Sequence, residues 1–178
     1  MIVKDEGSKT RDDEKYLTLA LAERVKSDDP KSRQVVQSGV GAVVILGGRL
    51  IARSANVLPP RLKLHQDEFG IGIQEAERYH FIEHAERAAI FIAHRNGQSL
   101  EGATMYCTRF PCSDCARAIV WAGLTRIVVA SGLGGEGRWL ESQRAAREIL
   151  KRAGVKVRVL SRPFRDAASD STASSTSS

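Results

Sequence analysis

The chain has 178 residues, of which 42% are hydrophobic and 27% are charged, and this is the size and composition of a single globular domain. No apolar run approaches the ~20 residues of a membrane span, and the charged N-terminus lacks the apolar segment of a secretory signal, so the sequence predicts a cytoplasmic protein. The net charge of +6 is compatible with phosphate-bearing metabolites, nucleic acid, an anionic membrane or a solvated basic surface, and excludes none of them.

The two ends of the chain have the composition of flexible segments. Residues 1–12 are polar and mixed in charge, which predicts a flexible N-terminus. Residues 163–178 are predicted to form a disordered tail, because this stretch is dominated by serine, threonine and alanine and cannot bury a core. With no internal repeat or linker between the two ends, residues 13–162 are predicted to form one domain.

The first half of this domain begins with a helix and a hairpin. Apolar residues at helical spacing predict a helix over 13–25. Two apolar runs, 40–46 and 50–54, flank a Gly-Gly turn and predict a β-hairpin. The following segment, 59–80, has no clean period and is predicted to be a long loop with room for a short helix. Loops of this length in a compact domain are usually functional or mobile.

In the second half, helices and strands alternate. The predicted elements are a helix over 85–94, a strand over 103–107, a helix over 113–122, a strand over 126–130, a helix over 139–153 and a strand over 155–160. This alternation predicts an α/β fold with helices packed on a central sheet. The last helix is long enough for a crossover connection, so the last two strands should be parallel.

Two of the three cysteines lie in the stretch FPCSDC, as Cys112 and Cys115. An odd number of cysteines with this short spacing argues against a disulfide framework. Pro111 suits the first turn of a helix, so both thiols are expected at a helix N-terminus, one turn apart, where the helix dipole favours thiolate. Two thiolates and one imidazole form a donor set that suits zinc.

The imidazole is supplied by the stretch HAERAAI, which contains His84 and Glu86. Side chains two residues apart in a helix point in nearly opposite directions. His84 and Glu86 can therefore face one site only if the helix begins at or just after His84. Three ligands leave the fourth zinc position open, as in catalytic sites, and Glu86 is then assigned to proton transfer. Taken alone, the CxxC motif is also compatible with a redox pair, and His84 is also compatible with a core histidine. The combination of the two motifs favours catalytic zinc.

H-x-E followed by P-C-x-x-C is the known signature of zinc deaminases. Over about residues 38–160 the chain resembles the zinc-dependent cytidine and deoxycytidylate deaminase superfamily, and FPCSDCARAIVWAGLTRIVVA is most similar to the dCMP deaminase branch. The resemblance implies a three-layer α/β/α fold with a five-stranded mixed sheet. It also implies zinc ligands at His84, Cys112 and Cys115, with Glu86 as the proton shuttle.

The implied reaction is hydrolytic deamination of an amino-pyrimidine nucleotide, dCMP to dUMP as first choice, in which zinc-bound hydroxide adds to the ring and ammonia departs. Deamination of cytidine, cytosine or guanine is an alternative, as is a tRNA adenosine type of activity. Against the latter, the basic residues are dispersed, and Phe110 and Asp114 stand where the tRNA branch has Glu and Met. The implied partners are therefore a small-molecule substrate and further copies of the chain, as a homo-oligomer, and not a membrane.

The resemblance also implies two substrate contacts. The backbone of Ala85 is expected to hold the ring carbonyl, and Asn56 is expected to bind a sugar hydroxyl. The chain departs from the branch at Ala88, where asparagine is usual, and at Val57 and Arg61, where glycines are usual.

Three further groups of residues have functional interpretations that are set against plain structural ones. A second metal site would use His65, His80 and Cys107; the alternative is that these residues lie at the surface or in the core. Phosphate contacts, as opposed to a solvated surface, would use Arg61, Lys63 and Arg109. Base stacking or a subunit interface would use Trp121 and Trp139; the alternative is that these side chains pack within the domain.

Overall fold

The computed structural model describes residues 6–65, 68–69, 77–134 and 137–160. The predicted disordered tail, 163–178, lies outside the described residues. The strands are β1 (Gly41–Leu46), β2 (Arg49–Ala55), β3 (Thr104–Cys107), β4 (Arg126–Val129) and β5 (Lys156–Val159). The α-helices are α1 (Glu6–Glu23), α2 (Pro30–Gln34), α3 (Arg78–Phe81), α4 (Ala85–Arg95), α5 (Ser113–Trp121) and α6 (Arg138–Arg152). No described helix is long and apolar enough to cross a membrane.

The five strands form one mixed sheet in the order β2-β1-β3-β4-β5. β1 runs antiparallel to both β2 and β3, whereas β3, β4 and β5 are mutually parallel. The predicted five-stranded mixed sheet and the parallel pairing of its last two strands are confirmed. Because the carboxyl ends of the parallel strands meet at one edge, the loops that follow β3 and β4 lie side by side.

Helices cover both faces of the sheet, as the α/β/α prediction requires. Side chains alternate between the faces along a strand, so Val43 of β1 packs toward Leu17 of α1 while Val44 packs toward α4, α5 and α6. Gly41 allows the close approach of α1, since a Cβ at that position would lie 1.9 Å from the carbonyl oxygen of Ala20.

The hairpin turn has the predicted two-glycine conformation. Gly47 and Gly48 have φ angles of 58° and 80°, which glycine adopts without the steric cost that other residues would meet.

The first helix was predicted to begin at Asp13, but α1 begins at Glu6 and includes part of the segment 1–12. The interpretation of Asp13 as a residue near the helix start was wrong, because this side chain lies inside the helix and is buried, with only 1% of its surface exposed.

The segment 59–80 returns to the point where it leaves the domain. The backbones of Val57 and Glu83 exchange hydrogen bonds of 3.0 and 2.8 Å, so the ends of the excursion are held together. Within its described part, the short helix α3 begins at Arg78 and leads directly into the His84 motif. This arrangement places α3 beside the edge of the sheet where the motif residues gather.

Asp13 ties α1 to the strands below it through a buried ion-pair network. Its carboxylate accepts hydrogen bonds from Tyr106 (2.9 Å), from both terminal nitrogens of Arg126 (2.8 and 2.6 Å) and from Arg158 (2.7 Å). Burial by itself would raise the pKa of Asp13, but the hydrogen bonds from Arg126 and Tyr106 and the two guanidinium charges outweigh it and lower the pKa. The carboxylate therefore stabilises the fold in its charged form.

We expect Asp13→Asn to lower the free energy of unfolding at pH 7 by about 3 kcal/mol, because two guanidinium groups lose their charged partner. Since the pKa of Asp13 in the folded state is below its unfolded value of about 3.9, its contribution is fully present above that pH and is lost as the pH falls further. Urea unfolding of wild type and variant should therefore show a difference that narrows in acid. The neighbouring exposed Asp12, changed to Asn, is the control, and equal losses at the two positions would contradict the prediction.

Candidate metal centre and active-site cleft

Two helices begin at the edge of the sheet where β3 and β4 end. The residue before the first turn of α4 is His84, and the residue before the first turn of α5 is Cys112; both have extended backbone conformations, with ψ of 144° and 172°. The prediction that a helix begins immediately after His84 is confirmed. Cys115 follows in the first turn of α5, one turn from Cys112, so the two thiols share a side of that helix.

The structure brings together the three predicted ligands. Their donor atoms all lie within 4.8 Å of one another, with Nδ1 of His84 3.5 Å from Sγ of Cys112 and 3.4 Å from Sγ of Cys115. A tetrahedral zinc ion with Zn–S near ~2.3 Å and Zn–N near ~2.05 Å separates sulfur from nitrogen by about 3.6 Å. The spacing and the chemistry of the donors therefore fit zinc, and the open fourth position fits a site that does chemistry.

The three donors are close enough to shift one another's pKa values. A hydrogen bond from Cys115 lowers the pKa of Cys112 to about 4, against the effect of burial. The hydrogen bond to Cys112 raises the pKa of His84 to about 9, and the hydrogen bond with Cys112, together with burial, raises the pKa of Cys115. A bound zinc ion would take the place of the protons on the donors, because zinc binds thiolate and neutral imidazole.

Glu86 lies in the first turn of α4, next to the three donors but outside their group. The residue is 4% exposed, and burial raises the pKa of its carboxyl, while the charge of His84 acts in the opposite direction. The Cys115 side chain and the backbone N–H of Glu86 also act to lower the pKa of this carboxyl. A carboxyl with a raised pKa beside an open metal position is suited to accepting and returning a proton.

A charged bridge connects the starts of the two helices. Glu83 accepts a hydrogen bond from the backbone N–H of His84 (2.9 Å) and another from Nε of Arg87 (2.6 Å). Arg87 also lies 4.0 Å from the carboxylate of Asp114 in α5. Through Arg87, the residue that carries the imidazole is linked to the helix that carries the thiols.

The metal cluster opens into a cleft of about 470 Å³. The walls of this cleft contain both predicted substrate-binding residues, Asn56 and Ala85, together with Glu86, His84 and Cys112. Oδ1 of Asn56 accepts a hydrogen bond of 2.8 Å from the backbone N–H of Val40. The amide oxygen is therefore fixed by the backbone, and the NH₂ group is the part of the side chain left to serve a ligand.

The basic residues of the cleft are only partly those that the sequence suggested. Arg109 lines the cleft, whereas Arg61 and Lys63 are exposed and lie outside it. Lys31 and Arg78 line it as well, and sequence reasoning missed both because neither belongs to a motif. The one available signal was the position of Arg78 in the long segment before His84.

The alternative second metal site of His65, His80 and Cys107 does not form in the described part of the chain. The group of three metal-binding side chains found there is that of His84, Cys112 and Cys115. Cys107 is instead fully buried in the core between the sheet and α4 to α6.

Removal of the metal ligands gives a direct test of this centre. We expect Cys112→Ser and Cys115→Ser to reduce bound zinc from about one ion per chain to less than a tenth. We also expect a chelator to lower the melting temperature of wild type, because a ligand present at 1,000 times its Kd stabilises the folded state by about 4 kcal/mol. Elemental analysis and thermal unfolding measure the two effects. Cys107→Ala, which removes a thiol from the core, should keep its zinc; loss of zinc there and retention at position 112 would contradict the assignment.

Comparisons with known proteins agree with this geometry. The profile of the family described as "Cytidine and deoxycytidylate deaminase zinc-binding region" matches residues 10–131. The deoxycytidylate deaminase of Enterobacteria phage T2 is 42% identical over 74 residues, which is 42% of this chain but 36% of the phage protein. The deoxycytidylate deaminase of Mus musculus is 28% identical over 165 residues, covering 86% of this chain and 85% of the mouse protein.

The fold is also similar to that of a solved structure, dCMP deaminase from the cyanophage S-TIM5 in complex with dCMP and dUMP. The TM-score is 0.65 at 24% identity, and the superposition covers 88% of this chain and 99% of the other. Because the family profile extends over more than half of the sequence and includes His84, Cys112 and Cys115, the chain belongs to the cytidine and deoxycytidylate deaminase family.

Proposed function

We propose that this protein is a hydrolytic deaminase that converts deoxycytidylate and water to deoxyuridylate and ammonia. The observation that carries the proposal is the buried carboxyl of Glu86 beside the His84, Cys112 and Cys115 donors, at the base of a cleft. A purely structural zinc site has four protein ligands and needs no acid beside it. The deoxycytidylate deaminases among the relatives, one of which matches along most of its length, support the choice of substrate.

The roles of the chain's own residues follow from their positions. When bound, zinc supplies an activated water near neutral pH. Glu86 would take one proton from that water and pass it to the ring nitrogen next to the reacting carbon. It would then take the second proton, from the hydroxyl group added to the ring, and pass it to the amino group, which departs as ammonia. Ala85 lies in the first turn of α4, where backbone N–H groups have no partner within the helix, so its N–H is suited to hold the ring carbonyl oxygen of the pyrimidine.

A nucleotide, rather than a nucleoside, is favoured by the charge of the cleft. The cleft is lined by cationic residues, Lys31, Arg78 and Arg109. Of these, Arg78 pairs with the carboxylate of Asp29 at 3.3 Å. Charge-assisted hydrogen bonds to a phosphate are stronger than those between neutral groups. The NH₂ group of Asn56 is then placed to serve the sugar that connects phosphate and base.

The homo-oligomer and the cytoplasmic location that the sequence predicts are part of the same proposal. Both are what the family resemblance and the composition of the chain lead us to expect.

The direct test of the function is ammonia release from dCMP, CMP, deoxycytidine, cytosine, guanine and adenosine, with tRNA as a macromolecular substrate. We expect dCMP to have the highest kcat/KM. Activity confined to unphosphorylated bases or nucleosides would overturn the nucleotide assignment, and activity on tRNA alone would favour a nucleic-acid-acting enzyme.

We expect Glu86→Gln to lower kcat by roughly 10²- to 10⁴-fold, because the amide cannot move a proton, while bound zinc stays at the wild-type level. Glu101→Gln, which changes an exposed carboxyl before β3, is the matched control and should keep full activity. Substantial turnover by Glu86→Gln would refute the proton-transfer role.

We expect Lys31→Gln and Arg109→Gln each to raise KM for dCMP about tenfold, since one charge-assisted hydrogen bond is worth about 1.5 kcal/mol. The same changes should leave the slow turnover of deoxycytidine unaffected, because that substrate has no phosphate. Lys63→Gln, outside the cleft, is the control. An equal effect on both substrates would show that these side chains do not read the phosphate.

A further inference from the structure

The two tryptophans of the chain have opposite surroundings. Trp121, at the end of α5, is 90% exposed and does not line the cleft. Trp139, in the first turn of α6, is half-buried and forms part of the cleft wall. Neither residue belongs to a core cluster in the described part of the chain, so simple core packing does not account for the position of Trp139.

Trp139 lies next to the metal-binding imidazole. Its ring centroid is 6.1 Å from that of His84, and the two ring planes are inclined by 35°. A second aromatic side chain, Tyr79 of α3, meets Trp139 edge-on with centroids 5.5 Å apart and planes at 62°. Tyr79 and Trp139 together form an aromatic wall of the cleft beside the metal-binding cluster.

The Tyr79 side of this aromatic wall lies against a buried cation. The guanidinium carbon of Arg78 lies 4.1 Å from the centroid of the Tyr79 ring, which is a cation–π distance. Arg78 is only 3% exposed, and its Nε lies 3.3 Å from the carboxylate of Asp29. The Tyr79 ring is thus fixed by the cation on one side and meets Trp139 on another, so the indole has a defined position before any ligand binds.

A flat, rigid indole face beside the reacting centre is suited to one class of ligand. Aromatic rings gain the most from offset-stacked or edge-to-face contact with other flat π systems. Every nucleobase has such a face, and base–aromatic stacking does not depend on hydrogen-bond pattern. An apolar residue of irregular shape would exclude water from the cleft equally well but would not orient a planar ring.

We propose that Trp139 is the surface on which the heterocycle of the substrate stacks, and that Tyr79 and Arg78 are positioning residues that hold the indole in place. This inference rests on the proposed deaminase function and adds the residue that orients the base toward the metal and Glu86. It also assigns a function to α3, since the segment 59–80 supplies two of the three side chains that build this side of the cleft.

The presence of only two tryptophans allows a binding test that needs no turnover. In Trp121→Phe, Trp139 is the sole indole, and titration with the product dUMP should change its fluorescence in a saturable way as the base stacks. In Trp139→Phe, Trp121 is the sole indole, and the same titration should leave the emission unchanged. A response from Trp121 and none from Trp139 would overturn the inference.

Kinetics gives the second test. Trp139→Ala and the bulkier Trp139→Leu should both raise KM for dCMP by roughly 10- to 100-fold, the range expected for loss of one stacked base, with zinc content and melting temperature close to wild type. Trp139→Tyr should restore most of the affinity, since it restores an aromatic face. The control is Trp121→Ala, because Trp121 is exposed and lies outside the cleft. If Trp139→Leu has the same KM for dCMP as this control, the inference is overturned.

A failure of the proposed function would be seen separately, as an absence of ammonia release from dCMP by wild type. The stacking inference is then judged by the same titration and variants with whichever amino-heterocycle wild type deaminates. If wild type deaminates dCMP and the Trp139 variants are unaffected, the function stands and the inference fails.

Discussion

The structure depends on one geometric constraint: the first turns of two helices from different parts of the chain must begin at the same place. His84 precedes α4, and Cys112 precedes α5, so neither helix alone provides a metal site. Their starts meet because β2 and β3, the strands that precede α4 and α5, both run antiparallel to β1, so their carboxyl ends lie at one edge of the sheet. A small displacement of either helix would separate nitrogen from sulfur, and the bridge through Arg87 is placed to resist it.

The rest of the fold holds this edge in position. α1 lies on the opposite face, and its buried Asp13 binds arginines from β4 and β5, so that one carboxylate spans two of the parallel strands. The close approach of α1 to the sheet requires the absence of a side chain at Gly41. The face that carries α4, α5 and α6 is packed mainly by alanine and small aliphatic side chains, which allows the helices to lie close to the strands.

The cleft combines three chemical environments in one volume. Its base holds the metal donors and the buried carboxyl of Glu86, its walls include the aromatic pair Tyr79 and Trp139, and its lining also contains cationic side chains. An amino-heterocycle with an anionic substituent is the kind of molecule that can use all three at once. The proposed nucleotide substrate and the proposed stacking surface are thus two consequences of the same arrangement.

The sequence alone predicted the candidate metal donors, the starts of α4 and α5 and the α/β class, because each depends on local chemistry: thiols one turn apart, a proline just before the helix, and apolar residues with the period of a helix or a strand. It misjudged the start of α1, since a charged residue such as Asp13 looks like a helix boundary unless its distant partners Arg126 and Arg158 are known. Lys31, Arg78, Tyr79 and Trp139 reach the cleft from α2, α3 and α6, and no spacing in the sequence relates them. Only the tertiary structure could decide this, because contacts between residues far apart in the chain depend on how the helices and loops pack around the sheet.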